Sequence, residues 1–390
     1  MGLPEPSYSL TIPSIHDGLP LDCRIYHPTE TKHNLQPQQR RQGVIIAHPY
    51  APLGGCCDDP VVEAVVAAML KEDLIVGTFN FRGATGSKGH TSWSCKPEIS
   101  DYMSFVGLFV HYLDLLDFTG EAAWATDHDK RIHLTLGGYS YGSLITSHLS
   151  PVESILDRFL DPSEGSAEAE VLLRAKSLSS EQNQEYARQR ALKRQPSSRR
   201  HVSHSTTMGG EQSSPEKRRR SHEIRHSTDF LHSLDLPRHF HSMKRKSGEH
   251  QRREATPSQN TIGASSGSKK PSVSASYLLI SPLLPPVSLA LAPSAVFGMW
   301  RKKDENVSPL GKVPTLAVFG DVDMFTSVKK LREWARKMSS APASKFQSHE
   351  ISGAGHFWKE SGVEKQLKEV VRNWVSEGTL ERPLSPRRHT

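Results

Sequence analysis

The sequence predicts an α/β fold, a mostly parallel central sheet covered by helices on both faces. Runs at 43–48, 74–81 and 132–138 read as strands buried on both faces, and 315–319 reads as a further strand. Stretches at 60–71, 97–116, 327–339 and 362–377 read as helices between and after them. Alternation of this kind requires parallel strands joined by crossover helices.

Taken in order, residues 8–12 (YSLTI) and 22–27 (DCRIYH) are two short strands separated by the turn signal His16-Asp17-Gly18. GVIIAH at 43–48 is the first central strand. Helix 60–71 (PVVEAVVAAMLK) has Asp59 as N-cap and Pro60 at its first position, where the missing N–H is not needed. LIVGTFNF at 74–81 is the second buried strand, and 97–116 carries apolar side chains at helical spacing. Ile132 to Gly138 is the third, ending in Gly-Tyr-Ser-Tyr-Gly. Tyr277–Ile280, Thr315–Phe319 and 346–351 complete the strands. The stretch from about 160 to 272 breaks the alternation. It is dense in Ser, Arg, Lys, Gln and His, and its apolar content is too small to offset the entropy of ordering it. It reads as a disordered insertion with an isolated helix near 167–193. The expected organisation is a folded part at 1–160, the basic insertion at 161–274, the rest of the fold at 275–377 and a loose tail at 378–390.

Composition agrees with this division. Hydrophobic residues make up 36% of the 390, low for a chain that is compact throughout. Residues 171–270 hold 21 Lys+Arg against 9 Asp+Glu, so +12 of charge sits there and the remainder, at −5, is mildly acidic. Cys23, Cys56, Cys57 and Cys95 have no metal-binding spacing, and adjacent Cys56 and Cys57 suit a disulfide poorly, so reduced thiols in a cytoplasmic protein are expected. MGLPEPSYSLTIPS has neither the basic nor the apolar region of a signal peptide. Tyr277–Trp300, the longest apolar stretch, is interrupted by Pro282, Pro285, Pro286 and Pro293, so no transmembrane segment is expected.

The chemistry is concentrated in a few loops. Gly138-Tyr139-Ser140-Tyr141-Gly142 is G-x-S-x-G between a strand and a helix, the context in which the pentapeptide is more than a chance Gly-Ser turn. Such a turn lifts the hydroxyl of Ser140 above the sheet, and small neighbours let strand and helix nearly touch. A serine hydroxyl is a weak nucleophile until a base removes its proton. His356, on the glycine-rich loop Ser352–Trp358 after the last strand, is the expected base. A carboxylate should orient the imidazole, and Gly320-Asp321-Val322-Asp323 offers two. Asp323 is favoured because a few residues of loop return its side chain over the strand end, leaving Asp321 to brace the loop. Two backbone donors are needed for an oxyanion. Tyr141 N–H is one. In His48-Pro49-Tyr50-Ala51-Pro52 the prolines have no N–H, which leaves Tyr50 first and Ala51 second. His48 and Arg82 read as loop braces. Tyr139, Phe325, Trp93 and Trp358 either line an acyl pocket or simply pack. Gly54-Gly55 and Gly83…Gly86 lack a following G-K-[ST], which argues against nucleotide binding.

Together these stretches resemble the α/β-hydrolase superfamily, and within it the small cytosolic serine hydrolases with little or no cap. The stretches that carry the resemblance are His48–Gly55, Phe79–Ser87, Gly138–Gly142, Gly320–Asp323 and Gly353–Phe357. The first two depart by one residue in their proline and glycine spacing. The resemblance covers about 8–160 and 275–377. It implies hydrolysis of an ester, thioester or peptide bond without a cofactor, through Ser140, Asp323 and His356, on a small-molecule acyl substrate that it does not identify. Two rivals stay open: an acyltransferase on the same scaffold, and a non-enzymatic scaffold or regulator acting through the insertion. Lys217–Arg220 and Lys244–Lys246 resemble sites for an anionic partner or an import receptor, which would add nuclear to cytoplasmic localisation, although a solvated linker is the plainer reading. Basic residues precede Ser197, Ser203, Ser221 and Ser247, so phosphorylation there would cancel charge.

Overall fold

The computed structural model describes residues 3–28, 41–118, 131–194, 269–288 and 310–378. Among the described residues eight strands form one sheet: β1 (Tyr8–Pro13), β2 (Pro20–Tyr26), β3 (Gln42–Ala47), β4 (Ile75–Phe79), β5 (Ile132–Tyr139), β6 (Val273–Ile280), β7 (Thr315–Gly320) and β8 (Phe346–Ile351). Their order is β1-β2-β4-β3-β5-β6-β7-β8. β1 and β2 form an antiparallel hairpin that joins β4 antiparallel. β3 to β8 all run parallel, so their carboxyl ends share one edge.

The described helices are α1 (Pro60–Leu70), α2 (Lys96–Asp114), α3 (Tyr141–Ser147), α4 (Val152–Asp157), α5 (Ala167–Arg194), α6 (Val328–Ser339) and α7 (Val363–Gly378). α1 begins as its sequence predicts, with the Asp59 carboxylate accepting from Val61 N–H at 2.9 Å beside Pro60. The period of two sorts the strands. Val44, Ile46, Val76 and Val318 pack with α1 and α7 on one face. Ile45, Ala47 and Phe79 pack with α2 and α3 on the other, and Ala317 and Phe319 meet Leu331 and Ala335 of α6 there. Each of the larger of these side chains (Val, Ile, Leu and Phe), fully buried, contributes roughly 1.5–3 kcal/mol. This explains why the central strands read as unbroken apolar runs: both faces are covered. All four cysteines are free thiols. No helix among the described residues is long and apolar enough to cross a membrane.

The expectation for 161–274 needs correction at both ends. α5 is not isolated. Val171 and Ala175 are fully buried against the body, and farther along the docking becomes polar. Asn183 accepts from Asp117 N–H at 2.7 Å and donates to Leu115 O at 2.9 Å, and Arg190 donates to Asp117 O at 3.1 Å. Tyr186 OH meets His27 Nδ1 at 3.0 Å, and Tyr8 OH donates to Gln182 at 3.0 Å. α5 thereby supplies partners to backbone groups just beyond the C-terminus of α2. Apolar content alone cannot register this docking, because much of it consists of hydrogen bonds. β6 likewise starts at Val273, earlier than Tyr277, since its polar first half pairs with β5 (Ile132↔Val273 to Tyr139↔Ile280). The tracts Lys217–Arg220 and Lys244–Lys246, the four serines and residues 379–390 of the expected tail lie outside the described residues.

Candidate active site

Ser140 stands at the junction of β5 and α3 with φ 55° and ψ −113°. A non-glycine residue held there costs on the order of 1–3 kcal/mol, which the surrounding packing must offset. The flanking glycines are required by contact. A Cβ on Gly138 would lie 2.2 Å from the carbonyl carbon of Gly142, and one on Gly142 would lie 2.4 Å from Ala47 O. β5, α3 and the end of β3 therefore touch backbone to backbone. The Ser140 amide donates to Ile280 O at 2.9 Å, tying the turn to β6.

His356 comes from the loop after β8 and Asp323 from the loop after β7. His356 Nδ1 lies 2.7 Å from Asp323 Oδ2, and Nε2 lies 2.8 Å from Ser140 Oγ. All three residues are buried. Asp323 Oδ1 also accepts from Phe325 N–H at 2.8 Å and Thr326 N–H at 3.1 Å. Burial pushes this carboxyl upward, but the His356 contact and the two amides outweigh it and hold it below the usual carboxylate range. An ionised Asp323 accepts only, so Nδ1 carries the proton and Nε2 is left to accept from the serine hydroxyl. Of the two acids, only Asp323 reaches the imidazole. Asp321 accepts from Gly353 N–H at 2.7 Å and Ser352 Oγ at 3.0 Å, bracing the β8 loop.

Tyr141 opens α3, and Tyr50 precedes the short 3₁₀ turn Ala51–Leu53. The Tyr50 carbonyl accepts from Leu53 N–H at 3.0 Å and Gly55 N–H at 3.1 Å, which fixes that turn. The two tyrosine rings lie edge to face with centroids 5.0 Å apart. His48 is fully buried. Phe81 N–H donates to its Nε2 at 2.8 Å, so its Nδ1–H donates to Pro49 O at 2.6 Å. Burial lowers its pKa to about 4, and as a neutral ring it ties the β3 and β4 loops together. Arg82 donates to Asp101 at 2.7 Å and Asp17 at 2.9 Å, again holding a loop.

The sequence did not disclose the braces on the histidine loop. Tyr139 OH donates to His356 O at 2.9 Å, Glu360 accepts from Gly355 N–H at 3.1 Å, and Trp358 Nε1–H donates to Ser281 Oγ at 3.0 Å. Tyr139 and Trp358, two of the four expected pocket residues, are thus buried braces. Phe325 remains beside the imidazole, edge to face at 4.5 Å. Trp93 is 69% exposed. No group of three or more His, Cys, Asp or Glu that would hold a metal ion occurs among the described residues.

A mostly parallel eight-stranded sheet with a strained serine between its fifth strand and the next helix decides the fold. This is the α/β-hydrolase fold. No family model and no curated protein matches the chain. Solved structures similar to it include an α/β serine hydrolase homologue from Coxiella burnetii (14% identity, 95% of this chain and 98% of that one, TM-score 0.45). XC6422 from Xanthomonas campestris, a member of the α/β serine hydrolases without a lid, is 14% identical over 99% and 100%, with TM-score 0.46. Est1E from Butyrivibrio proteoclasticus, with ferulic acid bound, is 12% identical over 94% and 98%, with TM-score 0.44. For this chain the α/β-hydrolase fold rests on the strand order and the serine turn.

Proposed function

We propose that the chain is a serine hydrolase that cleaves an ester or thioester through an acyl-enzyme. The observation that supports this reading is the single imidazole of His356, 2.8 Å from Ser140 Oγ and 2.7 Å from the carboxylate of Asp323. His356 Nε2 takes the hydroxyl proton as Ser140 Oγ bonds to the acyl carbon. The backbone N–H groups of Tyr141 and Tyr50, or Ala51 in place of Tyr50, hold the oxyanion. The carbon–oxygen or carbon–sulfur bond then breaks, and the imidazolium returns the proton to the leaving alcohol or thiol. Water, deprotonated by the same nitrogen, releases the acid and restores Ser140. Asp323 keeps the imidazole in the required tautomer and stabilises its charge. No step requires a cofactor. The basic tracts outside the described residues are assigned to an anionic partner or import receptor, in a cytoplasmic protein with access to the nucleus.

A fluorophosphonate probe tests the reading. Wild type should be labelled covalently, whereas Ser140→Ala should not be labelled and His356→Ala should be labelled far more slowly, all three remaining folded. Equal labelling of wild type and Ser140→Ala would place the reactive group elsewhere.

A further inference from the structure

The imidazole of His356 also marks where a leaving group departs. Its Nε2 returns a proton to the leaving oxygen or sulfur, so that atom must come within hydrogen-bond reach of the ring as its bond to the acyl carbon breaks. Whatever the leaving atom carries then rests against side chains packed around the imidazole. Tyr139, Phe357 and Phe325 pack there, with ring centroids 5.7, 5.5 and 4.5 Å from that of His356. Tyr139 is fully buried and holds the His356 carbonyl, so it does not face a substrate. Phe325 is half-buried and Phe357 is 48% exposed, and their rings meet edge to face at 5.9 Å. These two form an aromatic wall that runs from the base to the surface.

Polar groups of the same two loops are turned toward the protein. Phe325 and Thr326 N–H donate to Asp323, Gly353 N–H to Asp321 and Gly355 N–H to Glu360. Trp358 donates its amide to Gly355 O at 3.3 Å and its indole N–H to Ser281. Charge gives no preference for an anion. The Lys359 ammonium lies 5.6 Å from the centre of the Phe357 ring, but the carboxylates of Glu360 and Asp321, on these same loops, offset it. What the wall offers a leaving group is contact with two phenyl rings. We propose that Phe325 and Phe357 form the leaving-group subsite. The substrate it fits is an ester or thioester whose leaving alcohol or thiol is neutral and carries an aromatic or other apolar group next to the scissile bond. This inference rests on the serine-hydrolase reading and assigns selectivity to the leaving group, not to the acyl chain.

Two series of esters, hydrolysed by the full chain, test the subsite. Methyl, butyl, hexyl and benzyl acetate vary only the leaving group, and their alcohols are of similar acidity, so the chemical step changes little along the series. Methyl acetate, butyrate and hexanoate vary only the acyl group. Wild-type kcat/KM should rise roughly tenfold or more from methyl to benzyl acetate as the apolar group gains contact. Phe357→Ala should lower that ratio about fivefold and leave the hexanoate-to-acetate ratio within about twofold. Phe357→Leu should restore the hexyl-to-methyl ratio more than the benzyl-to-methyl ratio, since it returns apolar contact without the ring. A thermal melt confirms that each variant is folded. A flat leaving-group series in wild type would overturn the subsite. So would an equal fall of both series in Phe357→Ala, because the ring would then support His356 and not touch the substrate. Fluorophosphonate labelling of the same samples keeps the two readings separate. Labelled protein with no leaving-group preference keeps the hydrolase and loses the subsite; protein that is neither labelled nor active on any of these esters loses both.

Discussion

The phenol of Tyr139 donates to the backbone carbonyl of His356 across 2.9 Å and 217 residues of sequence. A residue of the serine turn thereby ties the backbone of His356 to that turn. Tyr139→Phe keeps the ring and removes only this bond. We expect a stability loss of about 1 kcal/mol and a fall in kcat of roughly tenfold with KM nearly unchanged, as a displaced base acts on the transition state more than on binding. Steady-state kinetics on an activated ester, beside a thermal melt, separates the two effects. A raised KM with normal kcat would assign Tyr139 to substrate binding instead.

The two aspartates after β7 should behave differently. Asp323→Asn leaves size and shape but favours the wrong imidazole tautomer, and turnover should fall by about 10³–10⁴ with the fold intact. Asp321→Asn loosens only the Ser352-Gly353 turn and should cost less than about tenfold. Comparable losses in both variants would count against the assignment of the acid.

Two buried histidines, His48 and His111, and the half-buried His27 predict acid sensitivity. Burial lowers His27, His48 and His111 to about 4, against about 6.5 for an unfolded histidine. Between these values the unfolded chain binds more protons than the native one, so stability is complete above pH 6.5 and declines as pH falls toward 4. Each site contributes on the order of 1–3 kcal/mol. The lowered carboxyl of Asp323 acts in the same sense at lower pH: its contribution is present above the unfolded carboxylate value and lost below it. Melting temperature followed from pH 7.5 to 4.5 checks the first window, and a flat profile would show that these rings charge in place.

Gly142→Ala should be severe. The added methyl would sit 2.4 Å from Ala47 O, backbone that cannot move without shifting β3. A loss of about 3 kcal/mol or more is expected, with fluorophosphonate labelling impaired even where the protein still folds. Thermal melts and labelling rates measure both.

Much of this architecture was legible because burial on both faces writes itself as unbroken apolar runs. No polar–apolar alternation is needed to find β3, whose GVIIA is apolar throughout. The serine turn, His356 and the pair Asp321/Asp323 were readable from glycine-rich loops placed after strands. What escaped was long-range and polar. The docking of α5 depends on Asn183, Tyr186 and Arg190 meeting groups far away in sequence. Trp358 and Tyr139 read as pocket residues because sequence gives an aromatic side chain no direction, and the partners of their polar atoms lie 77 and 217 residues away.

The register of β5 against β6, unbroken from Ile132↔Val273 to Tyr139↔Ile280, joins the segments on either side of the long basic stretch. Ser140 lies on one side of that stretch, and Asp323 and His356 on the other. A peptide bond cut between 195 and 268 would therefore sever the chain without separating Ser140 from His356. The two fragments would stay associated through the sheet as a reconstituted two-chain protein, so proteolytic maturation and fragment complementation are both compatible with this topology.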